Sequence, residues 1–285
     1  MRKADEGKYV LITGASTGIG NACARYLDQL GFSVFAGIRR ESDAGRLSRE
    51  ASKRLTPVFL DVTETESVRE ACETVRAAVG DSGLYGLINN AGVAVGGPLE
   101  YLSLDRFRSQ FDVNVIGQIA MVQQFLPLLR TGQGRIVFMG SIAGRVAWPL
   151  IGPYCASKFA LEAIADVLRL ELRNCNVSVS IVEPGNVKTP IWDKSMNEAD
   201  RLIAALPADG SDRYESFISG MKRAVGNVTR GGTTPAHVAR KIARILLISR
   251  PGARYLLGWD ARLLVFLRWC SQLLLTSRAS VCGAG

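Results

Sequence analysis

The chain has 285 residues, of which 47% are hydrophobic and 21% charged. This composition excludes a chain that is disordered as its main state, because enough apolar surface is available to offset the entropy cost of ordering. The longest nearly apolar stretch, residues 263–275, spans 13 residues and contains Arg268. A membrane-spanning helix needs roughly 20 apolar residues, so we do not expect a membrane span.

The net charge of +9 comes from residues 201–285, which hold 13 basic and 4 acidic residues, whereas residues 1–200 hold 22 of each. Because the basic residues are not interleaved with aromatic ones, we expect a solvated basic surface and no nucleic-acid partner. A mildly basic face toward a membrane or an anionic ligand is the alternative.

Six cysteines are scattered through the chain without a CxxC pair. That spacing excludes zinc-finger and thioredoxin-like sites. With a single histidine, His237, a histidine-rich metal site is excluded as well, and we expect no metal. The scattered cysteines, and a start without an apolar run long enough for a secretory signal, favour a cytoplasmic protein, with membrane association as the alternative.

Short apolar runs alternate with longer amphipathic ones along the chain. Runs with the look of buried strands fall at residues 9–13, 33–37, 57–61, 86–89, 135–140, 178–183 and 255–258. Helical patterns fall near residues 18–30, 64–79, 105–130, 156–174 and 235–249. This alternation predicts an α/β fold with a doubly wound parallel sheet, covered by helices on both faces.

Two segments depart from the alternation. Residues 191–230 are polar and rich in Gly and Pro, so we expect them to be irregular and to form a substrate lid or to be partly disordered. The tail, residues 259–285, has too many apolar residues for one exposed helix. We expect it to be covered by the protein itself or at a subunit interface, with shallow insertion into a membrane surface as the alternative.

A glycine-rich stretch, Thr13-Gly14-Ala15-Ser16-Thr17-Gly18-Ile19-Gly20, follows the first predicted strand and opens the first predicted helix. Glycines there let the backbone approach a pyrophosphate, and the helix start offers free N–H groups and the positive end of its dipole. A tight turn without a ligand is the alternative. The position after the first strand favours a dinucleotide site.

Tyr154 and Lys158 are four residues apart at the start of a helical pattern, so both side chains project to one face. A free tyrosine, with a pKa of about 10, is a poor base at neutral pH. A nearby ammonium favours the phenolate and makes the tyrosine useful as a general acid or base. An isolated pair of this kind is a surface feature, but here Ser141 precedes the tyrosine by 13 residues.

With Asn89-Asn90-Ala91-Gly92 after the fourth strand, Asn114 and Pro184-Gly185, these motifs resemble the short-chain dehydrogenase/reductase family over nearly the whole chain. The resemblance implies one domain over residues 1–285, a Rossmann-type sheet of about seven strands and an enzyme that interconverts an alcohol and its ketone or aldehyde. It also implies that Ser141 holds the substrate oxygen, Tyr154 exchanges a proton and Lys158 grips the nicotinamide ribose.

The same resemblance gives Asn114 a supporting role on a water path to the lysine, and it implies a set of cofactor contacts. Those contacts are Gly14, Ser16, Thr17, Gly18, Ile19, Gly20, Arg39, Arg40, Asp61, Val62, Asn90, Ala91, Gly92, Tyr154, Lys158, Pro184, Gly185, Val187 and Thr189. The family tends to pair through helices that match residues 105–130 and 156–174 here, which implies a possible homodimer or homotetramer.

Cofactor choice is indicated by the end of the second strand. An NAD enzyme usually places an acidic residue there for the adenosine ribose. This chain has Arg39 and Arg40, whose guanidinium groups suit a 2′-phosphate, so we expect NADP(H), with NAD(H) as the alternative. Asp61 matches the family's contact to adenine, and a helix-capping aspartate before Thr63 is the competing interpretation.

The stretch 34–47 and the tail look most like the hydroxysteroid and retinol dehydrogenase branch, which implies a lipophilic alcohol or ketone as substrate. Apolar residues expected near the substrate are 93–95, Trp148, Pro149 and Trp192. The rival hypotheses are a cofactor-binding regulator that has lost catalysis and a lipid-surface protein. The presence of all four residues Asn114, Ser141, Tyr154 and Lys158 counts against the first rival.

Overall fold

A computed structural model describes residues 7–49, 51–191, 200, 203–204 and 208–267. Within them, seven strands form one parallel sheet in the order β3-β2-β1-β4-β5-β6-β7. The strands are β1 (Tyr9–Ile12), β2 (Ser33–Ile38), β3 (Leu55–Phe59), β4 (Gly86–Asn89), β5 (Arg135–Met139), β6 (Ser178–Pro184) and β7 (Arg254–Leu257). The predicted doubly wound parallel fold is confirmed.

Helices connect the strands and cover both faces of the sheet. They are α1 (Gly18–Gln29), α2 (Glu41–Arg49), α3 (Thr65–Val79), α4 (Leu104–Phe111), α5 (Gly117–Thr131), α6 (Gly152–Glu171), α7 (Ala208–Gly231) and α8 (Pro235–Leu247). The sequence did not predict α2. Its apolar stripe is too narrow to detect, because Leu47 is the large side chain that it buries.

The core lies in two layers, one on each face of the sheet. On one face, Val75 of α3, Phe125 of α5 and Leu161 of α6 pack against the strands. On the other face, Leu27 of α1 and Ile242 of α8 are fully buried. Because the central strands are covered on both sides, they are apolar along their whole length rather than alternating.

The helix predicted near 105–130 is interrupted. A π-helical turn at Asp112–Ile116 separates α4 from α5. Gly117 follows directly, where a Cβ atom would lie 2.7 Å from the Val62 carbonyl oxygen, so α5 packs very closely on the loop after β3. The extra residue of such a turn re-aims a side chain, a feature that is frequent at functional sites. Here the turn contains Asn114, which is fully buried.

The expectation of irregular structure within residues 191–230 is wrong for residues 208–231, which form the 24-residue helix α7. Gly210, Gly220 and Gly226 each weaken a helix by about 1 kcal/mol, which made the segment look irregular. Gly210 has a packing reason, since a Cβ atom there would lie 2.8 Å from the Tyr101 hydroxyl oxygen. Residues 192–199 and Pro207 lie outside the described residues.

The tail is described as far as residue 267 and is helical over 259–267. Trp259, Leu263, Phe266 and Leu267 are all substantially exposed in this stretch. Tail residues 268–285 lie outside the described residues. None of the described helices is long and apolar enough to cross a membrane.

Candidate active site

The glycine-rich loop joins β1 to α1 with backbone that admits only glycine. Gly14 has a φ of +65°, and a Cβ atom on it would lie 2.9 Å from Ala91 Cα. A Cβ atom on Gly20 would lie 2.3 Å from the Gly14 carbonyl oxygen. Thr17 caps α1 without a side-chain hydrogen bond, so the N–H groups of the first turn are left for another acceptor. These features fit the phosphates of a dinucleotide.

The segment after β4 holds the glycine-rich loop in place. The backbone N–H groups of Asn90 and Ala91 donate to the Thr13 hydroxyl at 2.9 and 2.8 Å. The Asn90 amide donates to the carbonyl oxygens of Thr13 at 2.9 Å and Gly14 at 3.2 Å. The Asn-Asn-Ala-Gly motif therefore shapes the loop, which is a support role that its position alone did not reveal.

Ser141, Tyr154 and Lys158 are brought together at the carboxyl end of β5. Ser141 lies two residues after the strand, and its hydroxyl both accepts from the Ala143 N–H at 3.1 Å and hydrogen-bonds to Tyr154. Tyr154 and Lys158 occupy the first two turns of α6. Lys158 Nζ lies 5.6 Å from the centroid of the Tyr154 ring. All three side chains are at least nine-tenths buried.

Lys158 is fixed by a backbone acceptor at the end of β5. Its Nζ donates to the Met139 carbonyl oxygen at 2.7 Å. Burial lowers the pKa of Lys158 to about 8, and Glu162, one helical turn later, acts against that shift when it is ionised. The lysine is therefore a cation at neutral pH that loses its proton in mildly alkaline solution.

The pKa of Tyr154 moves opposite to the sequence-based expectation. Burial raises the pKa of Tyr154 to about 12, and the hydrogen bond with Ser141 offsets only part of the shift. The Lys158 ammonium lies over the Tyr154 ring and bonds to the Met139 carbonyl oxygen. In this structure Tyr154 is therefore a protonated phenol, suited to donate a proton.

Asn114 is held by the chain around it rather than by the lysine. Its amide donates to the Val93 carbonyl oxygen at 3.0 Å and to Ser157 Oγ at 3.1 Å, and its Oδ1 accepts from the Val93 N–H at 2.9 Å. Ser157 in turn donates to the Tyr154 carbonyl oxygen at 2.8 Å. Asn114 thus ties the start of α6 to the loop after β4.

The residues expected at the adenosine end meet beside β2 and β3. Asp61 Oδ1 accepts from the Thr63 N–H at 3.0 Å and from the Thr63 hydroxyl at 2.8 Å, so Asp61 caps a turn. The helix-capping interpretation is wrong, because the residue that caps α3 is Glu64. Its other oxygen lies 3.6 Å from Arg39 Nη1. Burial alone would raise the pKa of Asp61, but the Thr63 and Arg39 contacts outweigh it and lower that pKa. Arg40 is exposed, and Val62 is buried.

The segment after β6 lies against the glycine-rich loop. The Thr189 side chain lies 3.4 Å from where a Cβ atom on Gly18 would stand. Val187 is buried and forms an isolated bridge with Thr233. Pro184 ends β6, so the residues after it leave the carboxyl end of that strand.

An apolar cluster lies next to Tyr154. It consists of Ala94, Ala143, Ile151, Tyr154 and Cys155, with Trp148, Ile191 and Met221 packed against it. Of the residues expected near the substrate, Ala94 and Trp148 are in this cluster, and Trp192 lies outside the described residues. Among the described residues, no group of three or more His, Cys, Asp or Glu side chains is arranged so that it could hold a metal ion.

Sequence reasoning missed three residues at the site. Met221 of α7 joins the apolar cluster, and no local pattern could have placed it there. Arg46 of α2 donates to the Ser16 carbonyl oxygen at 2.6 Å, a contact that was out of reach while α2 went unpredicted. Asp260 accepts from the Asn186 N–H at 3.1 Å and lies against Gly185, which anchors the loop after β6.

The fold and the site define a dinucleotide-dependent oxidoreductase. Residues 8–200 match the family model described as short chain dehydrogenase. The chain therefore belongs to the short-chain dehydrogenase family and is an NAD(P)-dependent enzyme that interconverts alcohols with ketones or aldehydes.

Relatives and solved structures agree with this assignment. The 17-beta-hydroxysteroid dehydrogenase type 6 of Bos taurus is 38% identical, covering 90% of this chain and 82% of that protein. Retinol dehydrogenase 7 of Mus musculus is 36% identical, covering 90% of this chain and 83% of that protein. A short chain dehydrogenase/reductase of Burkholderia phymatum in complex with NAD has a TM-score of 0.80 and 27% identity, covering 95% of each chain.

Tyr154→Phe tests the proton donor. The substitution removes one hydroxyl and keeps the ring that packs in the apolar cluster, so the fold and cofactor binding should survive. We expect turnover to fall by about 10²-fold or more, because no other described hydroxyl replaces this donor at the same position. Steady-state kinetics beside NADPH fluorescence titration measures both properties.

Cys155→Ala is the matched control, since it changes the neighbouring buried side chain without touching the hydroxyl. It should keep most of the turnover. Near-normal turnover in Tyr154→Phe would contradict the assignment of Tyr154.

Proposed function

We propose that this enzyme interconverts a lipophilic alcohol of the steroid or retinoid class with its ketone or aldehyde. Two observations support the substrate class. The cluster around Tyr154 is apolar, with Trp148, Ile151 and Met221 among its members. Two similar relatives are a 17-beta-hydroxysteroid dehydrogenase and a retinol dehydrogenase.

The roles of the site residues follow from their geometry. Ser141 Oγ and Tyr154 Oη are hydrogen-bonded to each other, so one substrate oxygen can contact both hydroxyls. Tyr154 gives its proton to that oxygen in reduction and takes it back in oxidation. Lys158 supplies a fixed positive charge near the phenol. Asn114 ties the start of α6 to the loop after β4. When bound, the nicotinamide supplies or accepts the hydride.

The observation that carries this function is the burial of Ser141, Tyr154 and Lys158 together at the end of β5, beside an apolar cluster. A panel of alcohols and ketones tests it, with NADPH or NADP⁺ and NADH or NAD⁺ in parallel. We expect turnover of steroid alcohols or retinol and little or none of small polar alcohols of the sugar class. Cofactor binding without any turnover would favour a regulatory protein instead.

We assign the cofactor preference to NADP(H). Three arginines support it: Arg39 and Arg40 at the end of β2, and Arg46, which reaches the glycine-rich loop. Arg39 is two-thirds exposed and is paired with Asp61 only at 3.6 Å. Its guanidinium can therefore turn to a 2′-phosphate at little cost, since an exposed ion pair is weak.

Replacing Arg39 and Arg40 by Ala tests the preference. Losing a charge-assisted contact costs roughly 1.5–3 kcal/mol, which is about a tenfold to hundredfold loss in kcat/KM with NADPH. The kcat/KM with NADH should change little, because NADH has no 2′-phosphate. Arg49→Ala is the matched control, because Arg49 lies on α2 and bonds to the Gly45 carbonyl of its own helix. An unchanged NADPH-to-NADH ratio in the double variant would rule out the phosphate interpretation.

The exposed apolar face of residues 259–267 needs a cover, and we assign that cover to protein. Leu263 and Leu267 are 45% and 52% exposed, which is unfavourable for a face in water. A second copy or the enzyme's own chain would bury these residues. The lipid surface is the alternative, and the basic excess of residues 201–285 is in its favour.

Removal of residues 261–285 distinguishes the two covers. If protein covers the face, the truncated enzyme should melt at a lower temperature or change its oligomeric state in plain buffer. Differential scanning fluorimetry and analytical ultracentrifugation measure these properties beside the full chain. Unchanged stability and activity, with loss only of binding to phosphatidylserine-containing liposomes, would instead identify a membrane anchor.

A further inference from the structure

A cluster of charged side chains lies beneath the active site and takes no part in the chemistry described above. Its centre is formed by two carboxyl groups, Glu162 of α6 and Glu183 of β6. Glu183 is 1% exposed and Glu162 is 9% exposed. Carboxylates this deeply buried need charge partners or protons, because desolvation strongly disfavours the anion.

Two arginines reach this pair from different elements. Arg145, which follows the Ser141 loop, donates two hydrogen bonds to Glu183 Oε1, at 3.0 Å from Nε and 2.8 Å from Nη2. Arg254 of β7 donates from Nε to Glu162 Oε2 at 3.0 Å, and its Nη2 is bonded to Asp166. The longer contacts are Arg145 to Glu162 at 4.0 Å and Arg254 to Glu183 at 3.8 Å.

The donors leave one carboxylate oxygen without a partner. Glu162 Oε1 is fully buried and accepts no hydrogen bond from the described part of the chain. Arg254 does not serve it, because its Nε and Nη2 are directed to Glu162 Oε2 and Asp166. The two carboxyl groups nevertheless lie close together, because Arg254 Nε is 3.0 Å from Glu162 Oε2 and 3.8 Å from Glu183 Oε1. A hydrogen bond between two carboxyl groups requires a proton on one of them.

We propose that Glu162 and Glu183 hold one proton between them at neutral pH, and that this pair positions the active site and sets the charge beside Lys158. The shared proton gives Glu162 Oε1 its missing partner. It also reduces the three carboxylates that contact Arg145 and Arg254 to two. Burial, followed by the contact with Glu183, raises the pKa of Glu162 to about 8, in agreement with this charge count.

The position of the pair connects it to catalysis. Glu183 immediately precedes Pro184-Gly185, Arg145 follows the loop of Ser141, and Glu162 lies one turn after Lys158. One cluster therefore joins the three segments that build the site. The charged groups that face the pair are Lys158 and Asp166 from α6, Arg145 from the loop after β5 and Arg254 from β7.

The first test counts the proton and needs no substrate. A carboxyl that is protonated in the folded chain and ionised in the unfolded one makes stability fall as pH rises. For one proton, the unfolding equilibrium constant rises about tenfold per pH unit between pH 5.5 and 7.5. In urea unfolding, the wild type should show this extra dependence of the unfolding equilibrium constant on pH. Glu162→Gln should lack it, because its amide reproduces the protonated carboxyl.

Glu183→Gln should lose the same slope, because the proton belongs to the pair and not to one residue. Asp166→Asn is the matched control. Asp166 contacts the same Arg254, and the hydrogen bond from Arg254 is the main cause that lowers the pKa of Asp166. Asp166 therefore holds no proton in this pH range. Identical slopes in the wild type and in both Gln variants would overturn the proposal.

The second test measures the link to Lys158 and rests on the proposed function. As pH rises, the wild-type pair loses its proton and the new negative charge helps Lys158 keep its own. Glu162→Gln lacks this charge, so the alkaline limb of kcat/KM should move to lower pH, by about half a unit or more. Asp166→Asn should leave the limb in place.

The two tests separate the possible failures. An unmoved alkaline limb in Glu162→Gln, with the unfolding slope lost, would overturn the role toward Lys158 and keep the shared proton. A wild-type enzyme without turnover on the whole panel would overturn the proposed function, and the unfolding slopes would still decide the proton count.

Discussion

The site depends on the parallel pairing of β1 with β4. Their register sets Ile12 opposite Ile88, and the Thr13 N–H donates to the Ile88 carbonyl oxygen at 3.0 Å. In the sheet, β2 lies on one side of β1 and β4 lies on the other. The connections that follow β1 and β4 therefore run in opposite directions and leave a crevice at the carboxyl ends of these two strands. The Thr13 hydroxyl lies in that crevice and fixes the loop after β4. Without this register, the glycine-rich loop would lose its hydrogen bonds to the loop after β4.

Burial of polar groups is the second constraint on the site. Asn114 is fully buried, and a buried amide that loses its partners costs about 1–3 kcal/mol. The π-helical turn supplies these partners, because it directs the Asn114 amide toward the Val93 carbonyl oxygen and Ser157 Oγ. The same turn fixes the loop after β4 and the start of α6 relative to each other. The polar network therefore determines the geometry of the site as much as the apolar core does.

Local patterns were sufficient for the sheet and for most of the site. The apolar runs predicted all seven strands, because strands covered on both faces are apolar throughout. Arg46, Met221 and Glu162 were not predictable, because each acts on a partner far away in sequence. Arg46 contacts Ser16, 30 residues away, and Arg254 reaches Glu162 across 92 residues. Such contacts depend on helix placement, which no local pattern contains.

The helix α7 shows the same limit in another form. Its glycines and polar residues indicated an irregular segment, yet tertiary contacts select a helix. Arg213 pairs with Glu100 at 3.0 Å, the Tyr214 hydroxyl donates to the same carboxylate at 2.9 Å, and Tyr101 packs edge-on against Tyr214. These contacts hold α7 against the loop after β4, where Met221 can reach the apolar cluster.

The opposite pKa shifts of Tyr154 and Lys158 have one cause. Desolvation disfavours the charged form of each group, so it raises the pKa of the phenol and lowers that of the ammonium. At neutral pH the phenol therefore keeps its proton, and the lysine keeps its charge by a margin of about one unit. Taking a proton from Tyr154 demands that more positive charge or a better acceptor reach its oxygen. In the structure as it stands, Tyr154 is a proton donor, and the direction of proton transfer depends on what binds beside it.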